Sequence, residues 1–372
     1  MKLAFIKKGF SIYGGAERYL QTLITYLKQA GHEIHIYANQ WIREEGVVFH
    51  KIDVLSLGSF LSTITFNKNV KTAIKKDKPK CVISFERTTC QDIYRAGDGC
   101  HAEWLEIRSK IEPSYKRLSF KINPLHTSLL NLEKKIFSNT RFILANSKMV
   151  KNQIMKHYAV PGERITIIYN GVDLTRFTPE NKDGWRENVR KGLTVSESAK
   201  VLLFVGSGFQ RKGLKTFLSS ISLIKREDVK ALVIGKGNIS KYKTLAKRLG
   251  IFDKIIFLEP QKEIERFYAA ADLFVLPTLY DPFSNATLEA MASGLPAITT
   301  RNNGAAELIE NGQEGFVMYN LFDAEELTDK ISLSLGNLIV MGRKAREKAQ
   351  NFSIERAASQ FIEIIEQAGS KY

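Results

Sequence analysis

A chain of 372 residues exceeds the size at which one hydrophobic core keeps growing, so two domains of roughly 150–200 residues are expected. Its 44% apolar content is ordinary for a globular protein, its three cysteines form no metal or disulfide pattern, and no apolar run approaches the ~18–20 residues of a bilayer span. The formal net charge of +16 calls for an anionic partner, whether nucleic acid, a membrane surface or a phosphorylated substrate, without choosing among them.

KLAFI at the N-terminus reads as a buried strand, and Lys7 and Lys8 follow too soon for a signal-peptide core, so a cytosolic protein is expected. Gly14 and Gly15 then open the helical segment GGAERYL and let a ligand approach the backbone; a plain strand-to-helix turn is the other reading. HEIHIYA, CVISF, FILAN and ITIIYN alternate with segments of helical period, as in a parallel sheet covered on both faces. Within that series RAGDGCHAEW sets Asp98 between two glycines beside His101, an accessible acid or an ordinary turn aspartate. From Trp104 onward Arg108, Lys110, Lys116, Arg117 and Lys121 mix with aromatic residues. That composition suits docking on an anionic membrane, or a solvated helical face over core aromatics.

The run from Asp173 to Gly184, rich in charge with Pro and Gly, breaks the rhythm as a linker would. A first domain over 1–170 and a second over 171–352 are therefore predicted. VLLFVGS, VKALVIG, KIIFLE and LFVLPT, again alternating with helical segments, form the second series. The fold class is α/β, two doubly wound domains facing a central cleft, with ligands outside the carboxyl ends of the strands. The last amphipathic segment, in 353–372, has no strand after it and is expected to cross back to the first domain.

After LFVLPT comes LYDPFSNATLEAMASGLPAITT. Pro282 stops the strand, Ser284 or Asn285 can cap a helix, and Gly294 can end it in the left-handed conformation. Amides from about Asn285 to Thr287 then form an anion site suited to a diphosphate, with Asp281 and Glu289 placed to accept hydrogen bonds from sugar hydroxyls. VGSGFQRKG puts Arg211 and Lys212 after another strand, where they can neutralise a departing diphosphate. The glycines at 206, 208 and 213 fit neither GxGxxG nor a P-loop, which disfavours a nucleotide-dependent oxidoreductase. No HExxH, Asp-x-Asp or EF-hand loop is present, so no metal is expected, and no nucleic-acid-binding signature accompanies the basic charge.

Taken in order, GGAER, ANSKMV, ITIIYNGVDLTRFTP, GSGFQRKG, DPFSNATLEAMASGLPAITT and NGAAELIENGQEGFV resemble family 4 of the retaining glycosyltransferases, over nearly the whole chain. The resemblance implies the two-domain GT-B fold and a nucleotide-sugar donor. It implies Glu289 on the ribose, Asp281 on the transferred sugar and Arg211 and Lys212 on the diphosphate. Gly14, Gly15, Phe283, Ser284, Asn285 and Ala286 complete the donor set. Asp281 stands where the family usually has Glu, and Ser207 where many members have Arg; the first bears on donor-sugar identity, the second on Arg211 as substitute.

FERTTCQDIYRAGDGCHAEW and the segment after it are most similar to the lipopolysaccharide core glucosyltransferases of that family. This implies UDP-glucose as donor, an inner-core heptose as acceptor, and Asp98 as a catalytic residue with His101 as alternate. It also implies work at the inner face of the cytoplasmic membrane. Exopolysaccharide and other lipid-linked acceptors stay open.

Overall fold

The computed structural model describes residues 1–9, 15–41 and 45–370. The chain divides into two compact units, Met1–Tyr169 with Glu355–Tyr372, and Asn170–Ile354.

The first unit is built on seven parallel strands, β1 (Lys2–Ile6), β2 (Glu33–Ala38), β3 (Val47–Lys51), β4 (Cys81–Ser84), β5 (Ile93–Arg95), β6 (Phe142–Ala145) and β7 (Ile165–Ile167), in the order β3-β2-β1-β4-β5-β6-β7. The central strands are continuous apolar runs because helices cover both faces; Leu3, Ala4, Phe5 and Ile6 are all fully buried. The closing helix Ile354–Gly369 belongs to this unit, with Phe361 stacked 5.9 Å from Phe85 and the Tyr19 hydroxyl donating to the Ala357 carbonyl at 3.2 Å.

The second unit holds six parallel strands, β8 (Lys200–Val205), β9 (Val229–Ile234), β10 (Ile255–Leu258), β11 (Leu273–Leu276), β12 (Ala297–Thr300) and β13 (Gly315–Met318), in the order β10-β9-β8-β11-β12-β13. The chain winds outward from β8 to β10 and then restarts at β11 in the opposite direction. The crevice beyond the carboxyl ends of β8 and β11 is therefore the switch point, where doubly wound sheets bind ligands.

The structure differs from the sequence reading in several places. β3, β5, β12 and β13 were not anticipated, since VVFHK is a half-exposed edge strand, IYR is only three residues long, and AITT and GFVM are four residues each. The run Asp173–Gly184 is not all linker, because a helix begins within it at Asn181 and continues to Gly192. Pro179 just ahead of that helix and Asp183 in its first turn favour helix initiation, and its Arg190 is buried, donating to the Ala270 carbonyl at 3.0 Å.

Candidate active site

In the second unit the two predicted segments converge on the switch point. β8 runs into the loop Gly206–Gly213, whose last glycine has φ +78 and lies so close to β11 that a Cβ there would sit 1.8 Å from the Pro277 carbonyl oxygen. Only glycine lets the cation loop reach the segment after β11. Contact is then made by backbone: the Leu279 amide donates to the Arg211 carbonyl at 2.8 Å, and the Arg211 guanidinium to the Tyr280 carbonyl at 3.0 Å.

Lys212 and Asp281, assigned from sequence to different parts of a donor, are paired with each other. Burial pushes the Lys212 ammonium below its ordinary pKa, and the Asp281 carboxylate opposes that shift. Asp281 is 6% exposed and its backbone is held on both sides, its amide donating to Asn302 at 2.9 Å and its carbonyl accepting from the Gly304 amide at 2.9 Å.

Ser284 caps the helix Asn285–Ala292, its hydroxyl accepting from the Thr287 amide at 3.3 Å, and Gly294 follows the helix at φ +72. That cap corrects one expectation: the Thr287 amide is occupied. The Asn285 and Ala286 amides have no acceptor among the described residues, and both residues are part-exposed. Glu289 on the same helix accepts from the Tyr268 hydroxyl at 3.0 Å. Phe283 is buried at 5% exposure, so its side chain is core and only its backbone could meet a ligand.

Sequence reasoning missed Asn303. Buried at 1% exposure, it accepts from the Ser284 amide at 3.0 Å and the Ala305 amide at 3.1 Å, and donates to Thr287 at 3.2 Å and Thr299 at 2.9 Å. It fixes the start of the helix against β12. The motif NGAAELIENGQEGFV contains it, but nothing local marks its partners. Tyr268, which orients Glu289, was missed for the same reason.

In the first unit Asp98 lies in the loop after β5, 3.5 Å from the Arg87 guanidinium and 57% exposed in its side chain. Arg87 is shared with Glu133, a fully buried carboxylate reached from Nε at 3.0 Å. Glu133 also accepts from the His101 amide at 2.8 Å and the Tyr158 hydroxyl at 2.5 Å, so one buried acid fixes the loop that carries Asp98 and His101. His101 opens the helix His101–Ile111 and its Nε2 lies 3.1 Å from Nδ1 of His126. Burial, with the cations Arg87 and Arg108 and the neighbouring His126, pushes its pKa down to about 3. It is neutral at physiological pH and already engaged.

Gly15 begins the helix Gly15–Gln29, whereas Gly14 lies outside the described residues. Much of the predicted docking charge is met within the segment itself. Arg108 (3.4 Å) and Lys116 (3.0 Å) pair with Glu112, Lys110 with Glu106 (2.9 Å), and Arg117 Nε donates to the Glu112 carbonyl at 2.9 Å. Arg108 lies 5.9 Å over the Trp104 ring. The side chain of Lys121 lies outside the described residues. What the segment does present are Tyr115 and Ile122, 72% and 70% exposed.

Among the described residues one group could offer three metal ligands, Glu103, Glu106 and His157. The Lys156 ammonium bridges both carboxylates at 3.1 and 2.6 Å, and hydrogen bonds from Lys156 and Lys110 hold Glu106 down at a pKa of about 2. Among the described residues no helix is long and apolar enough to cross a membrane.

Two doubly wound units, the second with an anion-ready helix start and two adjacent cations at its switch point, make up the GT-B fold. Two family models cover most of the chain, "Glycosyltransferase Family 4" over residues 13–176 and "Glycosyl transferases group 1" over residues 199–337, and the protein belongs to that glycosyltransferase family. It is 24% identical to the lipopolysaccharide glucosyltransferase WaaG of Escherichia coli, over 90% of each chain. It is 28% identical to the D-inositol 3-phosphate glycosyltransferase of Corynebacterium efficiens, over 63% of this chain and 58% of that one. The crystal structure of a WaaG superposes with a TM-score of 0.86 at 23% identity, covering 98% of this chain and 99% of that one. Anabaena HepE in complex with UDP-glucose gives a TM-score of 0.75 at 19% identity, covering 99% of this chain and 100% of that one.

Proposed function

We propose that the protein is a retaining, metal-independent glycosyltransferase that moves a hexose, with glucose the expected sugar, from a UDP-sugar to a cell-envelope glycan, the inner-core heptose of lipopolysaccharide. The observation that carries this reading is the pair of amides at Asn285 and Ala286, without an acceptor among the described residues, on the same switch-point crevice as Arg211 and Lys212. The activity named for the Escherichia coli relative supports the acceptor, and the ligand named for Anabaena HepE supports the donor.

In this reading the diphosphate is held by the two amides and the positive end of the helix, and the ribose by Glu289, which Tyr268 orients. Arg211 and Lys212 stabilise the charge that grows on the diphosphate as the bond from sugar C1 to phosphate oxygen breaks. The acceptor hydroxyl attacks C1 from the same face, its proton passing to the departing phosphate oxygen, so the anomeric configuration is kept. Lys212 turns from Asp281 to the phosphate, which frees Asp281 to accept from a sugar hydroxyl. Asp98, oriented by Arg87, serves the acceptor side; His101, neutral and bonded to His126, shapes the loop. Peripheral docking at an anionic inner membrane surface is proposed through the Trp104–Ile122 segment, with Tyr115 and Ile122 as the inserting side chains.

The test is nucleoside diphosphate release from UDP-, GDP- and ADP-sugars in EDTA, with and without a lipopolysaccharide core acceptor, followed by the anomeric configuration of the product. Acceptor-dependent UDP release and a retained anomer are expected. An inverted product, or release that requires added metal, would refute the mechanism; release with an exopolysaccharide or other lipid-linked glycan alone would keep the chemistry and replace the acceptor.

A further inference from the structure

The second unit carries another cavity, of about 500 Å³, at the opposite end of its sheet. Its wall includes Lys200, the first residue of β8, and Asp272, the residue before β11, whereas the donor candidates follow the carboxyl ends of the same strands. The six residues of β8 alone separate the two sites by ~20 Å.

The cavity holds more positive charge than its acids neutralise. Asp272 is fully committed, one oxygen to Arg186 at 2.7 Å and the other to buried Arg190 at 2.8 Å and the Val201 amide at 2.7 Å. Arg346 is spent on the Phe177 and Ala292 carbonyls at 2.8 and 2.7 Å. Lys182 and Lys200 also line the wall, and their ammonium groups have no hydrogen bond or ion pair among the described residues. Arg343 stands 3.8 Å from Glu347, the remaining acid, at the rim. Burial and the nearby Arg186 and Arg190 push the Lys182 pKa down, while Asp272 opposes them, so the lysine is held against an energetic cost that an anion would relieve. At the lip Ile339 is 90% exposed.

We propose that this cavity is a phosphate-ester binding site, separate from the donor site, in which Lys182 and Lys200 grip the phosphate. Concave walls focus the field of the two lysines, and the volume is of the size that takes small ligands. A soluble phosphate ester and a phospholipid headgroup share this chemistry; Ile339 would meet acyl chains only in the second case.

The test uses the full-length protein at constant, near-physiological ionic strength, where general attraction to a basic protein is screened. Glycerol 3-phosphate is titrated calorimetrically, and phosphatidylglycerol vesicles are used in a sedimentation assay. Binding of at least one probe is expected. It should weaken about tenfold or more in a Lys182→Gln/Lys200→Gln variant, survive in Lys182→Arg/Lys200→Arg, and be unchanged by Arg211→Ala. Vesicle binding that Ile339→Ser weakens identifies the lipid source, whereas glycerol 3-phosphate binding with no vesicle binding identifies the soluble one. Failure of both probes to bind at millimolar phosphate overturns the proposal. So does binding indifferent to the Gln pair, and so does loss in Arg211→Ala equal to that in the Gln pair.

Discussion

Lys212 and Asp281 illustrate why a residue's role and its structural cost must be measured separately. Removing the lysine alone strands a carboxylate that is 6% exposed, a change of the kind that destabilises by about 3–5 kcal/mol. Lys212→Ala should therefore lose both melting temperature and turnover, whereas Arg211→Ala, which gives up one bond to the Tyr280 carbonyl, should keep its melting temperature and lose about 10²-fold in kcat. Steady-state kinetics beside thermal unfolding separates the two; an Arg211→Ala enzyme with unaltered turnover removes Arg211 from the mechanism. His101 makes a different prediction. Its folded pKa, near 3, lies below the unfolded value of about 6.5, so between these the unfolded chain binds the extra proton and stability falls as pH drops. The stabilisation is complete above about pH 6.5, and the slope one group can add is at most about 1.4 kcal/mol per pH unit. His126 and His50 are shifted the same way, by burial first, so His101→Gln should shallow the acid limb of the unfolding profile without flattening it. An unchanged slope would mean that His101 is solvated and ordinary.

At the scale of elements, the parts readable from sequence were those with local causes. Buried strands announce themselves as apolar runs, and the helix Asn285–Ala292 as a serine cap and a terminal glycine. The edge strand β3 was hidden because Val48 and Phe49 are 45% and 42% exposed, and helix initiation at Asn181 was masked by turn-forming residues around it. Long-range partnerships left no local trace. Asn303 meets Ser284 across 19 positions, Glu133 meets His101 across 32, and the ion pair of Lys212 with Asp281 spans 69. Two substitutions test whether such joints set the site. Asn303→Ala leaves the Ser284 and Ala305 amides without their buried acceptor, at about 1–3 kcal/mol for each unsatisfied group, and should raise the KM for the sugar nucleotide as the helix start loosens. Gly213→Ala places a methyl 1.8 Å from the Pro277 oxygen at φ +78, so the cation loop must withdraw from β11. Donor affinity and melting temperature should both fall, and an alanine variant of native stability would show that the loop does not need that approach.

For the whole molecule, chain order and structural units do not coincide, and this has a measurable consequence. The chain leaves the first unit after Tyr169, and residues 170–354 form the second without interruption. Its two ends are stitched together where the Val172 amide donates to the Phe352 carbonyl at 2.9 Å and the Ile354 amide to the Val172 carbonyl at 3.0 Å. Only then does the helix Ile354–Gly369 complete the first unit, burying Ala357, Ala358, Phe361, Ile365 and Ala368. Phe361 and Ile365 are fully buried, each contributing about 1.5–3 kcal/mol, against a net stability of about 5–15 kcal/mol for a typical domain. Without the helix, Tyr19 loses its bond to Ala357 and Phe85 its stacking partner. A fragment of residues 170–354 should unfold in one cooperative denaturant transition. A fragment of residues 1–169 should show a broad transition and bind a hydrophobic dye, and a synthetic peptide of residues 354–372 should sharpen that transition. A cooperative 1–169 fragment indifferent to the peptide would mean that the helix is an accessory, and that the unit's core closes on the N-terminal segment alone.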